Sequence, residues 1–298
     1  MWQLFLHLSD GYLLSMAVWL SLLAACPVLL VKLRRRLKEK PKQLKWVFLG
    51  LSAWMCLCLL TAIELGFALL YDTTDSFSMT NASRRWFEVH VTPDRKVLEF
   101  SDGTGIEYRD AVDFSGRELP PQTRHVCLLG DSFTFGHGVP DVRDRFSNQL
   151  GSLLSDSGEP ILVSNLSKPG TDLYWVESVL QHVFRDGHRV DSAVYVMCLN
   201  DIEAFHDPTM SESVARNQFE PPTFLFRDTY FFNWAWFRYQ QVSQSSVRDY
   251  YGFVEGYYKG EPWQRFRIKL REVNRLCEAN NCRLSVAVFP FLHESAEK

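Results

Sequence analysis

The chain has 298 residues, 46% hydrophobic and 22% charged, with a formal net charge of −3. That length holds one good-sized domain and a further element. Beyond one basic loop the chain is acidic on balance and shows no basic stripe, which excludes a nucleic-acid-binding reading.

Gly11 to Val31 is an uncharged apolar stretch, and Trp46 to Tyr71 is another that carries only Glu64. Each exceeds the roughly 18–20 residues that cross a bilayer as a helix. Residues 1–71 therefore read as a two-helix membrane anchor, with spans at about 11–31 and 46–71. The loop 32–45 between them carries eight basic residues and one acid, while the first ten residues have no Lys or Arg. This bias places the loop in the cytoplasm and both chain ends on the far side. The first residues lack a basic n-region, and no small-x-small site follows the first run, so a cleavable signal peptide fits poorly. A carboxylate at Glu64 is costly within a span. It can snorkel, pair with a neighbouring helix or stay protonated, and a relay role is a further reading.

Residues 72–120 are polar and turn-rich and read as a connecting segment, with a glycosylation acceptor pattern at Asn81-Ala82-Ser83. From His125 onward, strands are expected at Val126–Leu129, Ile161–Asn165, Ala193–Cys198 and Leu284–Phe289, each short, apolar and bounded by polar or turn residues. Helices are expected at about Arg145–Ser155, Leu173–Phe184 and Trp263–Asn280; the last places Trp263, Phe266, Leu270, Val273 and Leu276 at helical spacing. Apolar strands joined by helical crossovers imply an α/β domain over 121–298, its parallel sheet covered on both faces. Phe219 to Tyr239 packs ten aromatics into 21 residues. It fits a lid that stacks sugar rings, a surface resting against the bilayer, or a helix pair closing the core.

Cys26, Cys56 and Cys58 fall in the spans, and Cys127 and Cys198 in strand-like runs, where cysteine acts as a small hydrophobe. Cys277 and Cys282 flank a helix-to-strand connection and can pair in an oxidising compartment. No CxxC pair or His cluster points to zinc, and no cofactor is implied.

Gly130-Asp131-Ser132-Phe133 follows directly on the apolar run Val126–Leu129. This puts a serine hydroxyl at the carboxyl end of a central strand, where open parallel sheets collect ligands and where a nucleophile is placed. The plainer reading makes Gly130 and Gly170 turn glycines and Asn200 a helix cap.

Three sequence blocks here resemble those of the SGNH/GDSL hydrolases, more closely their membrane-anchored extracytoplasmic branch, over roughly Asp113 to Leu292. The family's nucleophile falls on Ser132 in Gly130-Asp131-Ser132-Phe133-Thr134-Phe135-Gly136. Its oxyanion-hole glycine falls on Gly170 in Asn165-Leu166-Ser167-Lys168-Pro169-Gly170, and its oxyanion-hole asparagine on Asn200 in Cys198-Leu199-Asn200-Asp201. The third block departs from the family's Gly-x-Asn-Asp at Cys198. The resemblance implies a three-layer α/β/α sandwich of flavodoxin-like type and a serine ester hydrolase, or a related O-acyltransferase. Its substrate would be an acylated glycan or lipid outside the cytoplasm. Backbone N–H groups of Ser132 and Gly170 and the Asn200 amide would hold the oxyanion, helped by the dipole of a helix after Ser132. The family's fourth block, Asp-x-x-His, has no match, since none of the eight histidines has Asp three residues before it. Glu203-Ala204-Phe205-His206 and His293 come nearest. The domain is therefore expected to be C-terminally incomplete, and a non-catalytic binding or assembly protein of the same fold is the alternative.

Overall fold

The two apolar runs form the two longest helices of the computed structural model, which describes residues 2–37, 41–74, 80–156, 158, 160–206, 221–243 and 250–289. In chain order the helices are α1 (Trp2–Leu6), α2 (Asp10–Arg36), α3 (Pro41–Leu70), α4 (Asn81–His90), α5 (Ser132–Phe135), α6 (Phe146–Asp156), α7 (Leu173–Arg185), α8 (Phe224–Arg227), α9 (Phe231–Ser243), α10 (Tyr250–Tyr257) and α11 (Glu261–Ala279). The strands are β1 (Arg95–Glu99), β2 (Gly105–Arg109), β3 (Arg124–Gly130), β4 (Ile161–Asn165), β5 (Ser192–Cys198) and β6 (Arg283–Phe289). They gather into two compact units, one of residues 1–89 and 219–241 and the other of 90–218 and 242–298.

In the first unit α2 and α3 are both long and apolar enough to cross a membrane. Only 6% and 11% of their apolar windows are buried within the protein. A helix at the heart of a soluble core would be mostly covered; these turn their side chains outward, as spans do. Antiparallel pairing is fixed by polar contacts along the seam. The Trp54 indole donates to the Leu23 carbonyl at 2.9 Å, and the Trp19 indole to the Thr61 hydroxyl at 2.9 Å.

Glu64 resolves as a cap. Its carboxylate accepts the backbone N–H groups of Tyr230 at 2.7 Å and Phe231 at 2.8 Å, and the Tyr12 hydroxyl at 3.1 Å. An acid at the start of α9 satisfies donors that no intrahelical carbonyl reaches. Of the readings open for Glu64, pairing with a neighbouring helix is therefore the observed one. Buried Arg85 of α4 closes the same end of α3 by donating to the carbonyls of Phe67, Ala68 and Tyr71, and its guanidinium lies 4.4 Å from the Tyr230 ring. Burial holds the Arg85 pKa below its usual value. The aromatic segment thus packs with the anchor helices. Asn81, the glycosylation acceptor of the sequence pattern, spends its amide nitrogen on the Arg227 and Thr229 carbonyls, both at 2.7 Å.

The second unit is mixed α/β around a parallel four-stranded sheet in the order β4-β3-β5-β6. Side chains alternate between the faces. Cys127, Leu129, Ala193, Tyr195 and Met197 enter a core with α7 and α11, while Leu128, Val163 and Val196 pack with Leu154 of α6 on the other face. Edge strand β6 leaves Val286 and Val288 41% and 58% exposed, so its outer half carries apolar surface without cover among the described residues. The antiparallel hairpin β1–β2 lies in the stretch read as connecting segment and contributes Leu98 and Tyr108 to the main core.

A buried polar network fixes the chain around the end of β3. Asp110 accepts from the Asn165 N–H at 2.9 Å, the Ala111 N–H at 2.7 Å and the Asn148 amide at 2.7 Å. Arg145, 1% exposed, donates to the Arg109 carbonyl and to the Ser147 hydroxyl, and burial pushes its pKa down to about 10. Arg109 in turn donates to the carbonyls of His90, Val139 and Pro140. Breaking a buried charged set by removing one partner costs about 3–5 kcal/mol. Asp110→Ala is therefore expected to lower the unfolding free energy by about 3 kcal/mol or more, read by thermal denaturation of the full chain in detergent.

Candidate functional site

Each residue of the Gly-Asp-Ser block is fixed by a separate local demand. Gly130 ends β3 so close to β5 that a Cβ there would stand 2.6 Å from the Val196 carbonyl oxygen and 2.4 Å from the Thr134 hydroxyl. Asp131 caps α5, its carboxylate accepting the Phe133 N–H at 3.0 Å. Ser132 is the first helical residue, half-buried at the carboxyl end of a central strand. The helix after it is a single turn of four residues, closed by Gly136 at φ 78°. A Cβ on Gly136 would run into the Arg145 stem at 2.6 Å. So short a helix carries little macrodipole, and the help expected from that source is correspondingly small.

The other two blocks reach the same end of the sheet from the strands on either side. After β4, the Leu166 N–H donates to the Leu128 carbonyl at 3.0 Å and the Lys168 N–H to the Gly130 carbonyl at 3.2 Å. The Thr171 hydroxyl also reaches the Gly130 carbonyl, at 3.2 Å. Between these contacts Gly170 turns at φ 72°, where a Cβ would meet no neighbour, so its backbone conformation is what selects glycine. After β5, Asn200 is the second residue of a 3₁₀ turn, Leu199–Phe205. Its side-chain Oδ1 is buried and has no hydrogen-bond partner among the described residues. Ser132, Gly170 and Asn200 thus follow the carboxyl ends of three adjacent parallel strands.

Around Ser132 the groups are acidic and poorly solvated. Burial raises the pKa of Asp131, partly offset by hydrogen bonding from the Phe133 N–H, the Cys198 thiol and the Ser132 hydroxyl. Asp201 accepts the Tyr195 hydroxyl at 2.5 Å and the Cys198 N–H at 3.2 Å. Its carboxyl is pushed up to about 8, first by burial and then by the nearby Asp131 charge. Cys198, at the position where the resemblance expects glycine, is 1% exposed, and burial pushes its thiol up to about 12. It is a packed neutral thiol, not a competing nucleophile.

The histidines divide by environment. His125 is buried between the Arg189 carbonyl at 2.7 Å and the Ser164 hydroxyl at 2.9 Å, and burial lowers its pKa. His206 is exposed, its ring 4.7 Å from that of Tyr257. His293 lies outside the described residues. Cys277 and Cys282 are both buried and free. Among the described residues no group of three or more His, Cys, Asp or Glu side chains is placed to hold a metal ion. The Asp110–Arg145 network carries no sequence motif, and of the Tyr195–Asp201 pair only Asp201 falls in one of the three sequence blocks. Their only advance signal is polar residues set in or beside apolar runs.

Compared with known proteins, the chain matches no protein-family model and no curated sequence.

Asp201 gives the second unit a pH dependence whose sign is fixed. Its folded pKa of about 8 lies above the ordinary 3.8, so between those values the folded state keeps a proton that the unfolded state releases. Stability falls as pH rises through that window. The wild-type melting temperature is expected to drop by several degrees more between mildly acidic and mildly alkaline buffer than that of Asp201→Asn, followed by circular dichroism. A second substitution tests the packing. Gly130→Ala is expected to cost about 2 kcal/mol or more, because one of the atoms it meets is backbone and cannot move aside.

Proposed function

We propose that this chain is a serine ester hydrolase of SGNH/GDSL type, its α/β unit a three-layer α/β/α sandwich of that family. The basic loop 32–45 orients the two spans so that the α/β unit lies outside the cytoplasm, with O-acyl esters of a glycan or lipid as the substrate class. One observation carries the reading: Ser132, Gly170 and Asn200 lie in sequence order behind three neighbouring parallel strands, with the Gly170 loop bonded to the end of β3.

In this reading the Ser132 Oγ attacks the acyl carbonyl, and its proton leaves to a base as the tetrahedral oxyanion forms. The N–H groups of Ser132 and Gly170 and the Asn200 amide donate to that oxyanion. The alkoxide of the substrate departs with a proton, leaving an acyl-serine that water hydrolyses. Transfer to another hydroxyl in place of water gives the O-acyltransferase variant. The protonated state of Asp201 limits the negative charge facing the oxyanion.

The second reading is a non-catalytic binding or assembly protein of the same fold. It is favoured by the absence of an Asp-x-x-His motif from the sequence. Without its base a triad serine retains only what oxyanion stabilisation and binding provide.

A fluorophosphonate probe separates the two. The full chain in detergent is expected to label, and Ser132→Ala, with an unchanged circular dichroism spectrum, to lose the label. Asn200→Ala should slow hydrolysis of a model acyl ester by about 100-fold, the usual cost of one oxyanion donor. A folded wild-type protein that takes up no probe overturns the hydrolase and leaves the binding protein.

A further inference from the structure

The aromatic segment that Glu64 caps lies at a depth that can be read from the spans. Some 20 helical residues, rising about 1.5 Å each, cross the roughly 30 Å hydrocarbon layer. On α3 the inner boundary is marked by Lys45, whose ammonium sits 5.7 Å from the Trp46 ring. About 20 residues from Trp46 ends at Leu65, which sets Glu64 at the outer boundary. On α2 the basic run Lys32–Arg36 marks the inner end, and about 20 residues back lies Tyr12, which donates to Glu64. Both spans place this cluster at one level, the edge of the hydrocarbon on the side opposite the basic loop.

At that level α9 begins. Tyr230 meets Tyr12 edge-on with ring centroids 5.0 Å apart, and Phe231 and Trp234 meet Phe67 at 5.2 and 5.3 Å. The segment therefore starts at the boundary and extends among rings of α3 that stand in the headgroup layer, where Trp and Tyr concentrate in membrane proteins. On its other surface Phe224 is 73% exposed, Tyr239 64% and Leu225 38%. Charges accompany these apolar groups as they do at an interface, with Arg227 paired to Asp228 and the Arg238 guanidinium 5.5 Å from the Trp234 ring.

We propose that residues 221–241 form an interfacial membrane element, seated in the outer leaflet's headgroup boundary and contacting lipid through Phe224, Leu225 and Tyr239. Continuity with the lipid-facing surface of α2 and α3 selects the occupant, because α9 begins at the depth where those spans leave the hydrocarbon. Glu64 holds it there by accepting the N–H groups of Tyr230 and Phe231 at the start of α9.

The test uses the full chain in phosphatidylcholine vesicles containing a phospholipid with a photoactivatable diazirine near the glycerol end of its acyl chain. After irradiation, adducts are mapped by mass spectrometry. Adducts on 221–241 at a yield matching that on 61–71 are expected. Adducts confined to the spans overturn the proposal. So do cross-links from Phe224 or Tyr239 to a second copy without any lipid adduct, which would assign the face to self-association. In Glu64→Leu the Tyr230 and Phe231 amides are expected to lose hydrogen-exchange protection and the 221–241 adducts to fall. If that variant does not fold, the wild-type adduct map alone decides.

Discussion

A buried carboxylate, Asp110, sits where the hairpin leaves β2 and binds the backbone of β4 through Asn165 and the start of α6 through Asn148. Taking charges out of water costs several kcal/mol per ion, and that cost is offset only when every lone pair finds a donor. Asp110 receives three donors across its two oxygens, and the nearby Arg145 and Arg109 use their guanidinium groups on carbonyls of β2 and of the turn after α5. Apolar side chains could fill the same volume, but they would not hold the peptide groups of residues 132–140 in one conformation. The Ser132 turn is a single helical turn between two glycines and has little stability of its own. Its geometry is imposed by this network from outside.

The same network explains what was legible in the sequence. Strands β3 to β6 announced themselves because a sheet covered on both faces needs continuous apolar runs, and the observed bounds differ from the expected ones by at most two residues. Helices α2 and α3 were legible because each is built on one long apolar run. The hairpin β1–β2 and helix α4 were not, since each buries only one side and their sequences read as polar and turn-rich. Asp110 and Arg145 lie 35 residues apart, and Glu64 lies 166 residues from Tyr230; no local pattern encodes a pairing across such separations. At the site the three motif residues could be placed in order. The acids around them could not be assigned protonation states, because those depend on burial.

Those protonation states bear on the chemistry proposed for Ser132. Two ionised carboxylates beside a forming oxyanion would oppose it by Coulomb repulsion, which in a poorly solvated site falls off slowly with distance. Burial of Asp201 removes one of those charges at neutral pH by holding a proton on it, and Tyr195 supplies a hydrogen bond in place of solvent. Asp131 keeps its place by capping α5. The neutral Cys198 thiol adds bulk without charge where the family's glycine would leave space.

Glu64 and Asp110 solve one problem in two solvents. Each is a buried carboxylate that accepts backbone N–H groups from a segment distant in sequence, and each thereby fixes where that segment begins. In the α/β unit Asp110 is 2% exposed, so a lost donor leaves a buried acceptor unsatisfied. At Glu64 an acid within an otherwise uncharged apolar stretch has a structural role, as acceptor for the Tyr230 and Phe231 N–H groups. Its position near the end of α3, and not at the middle, suits the interfacial seat proposed for the aromatic segment.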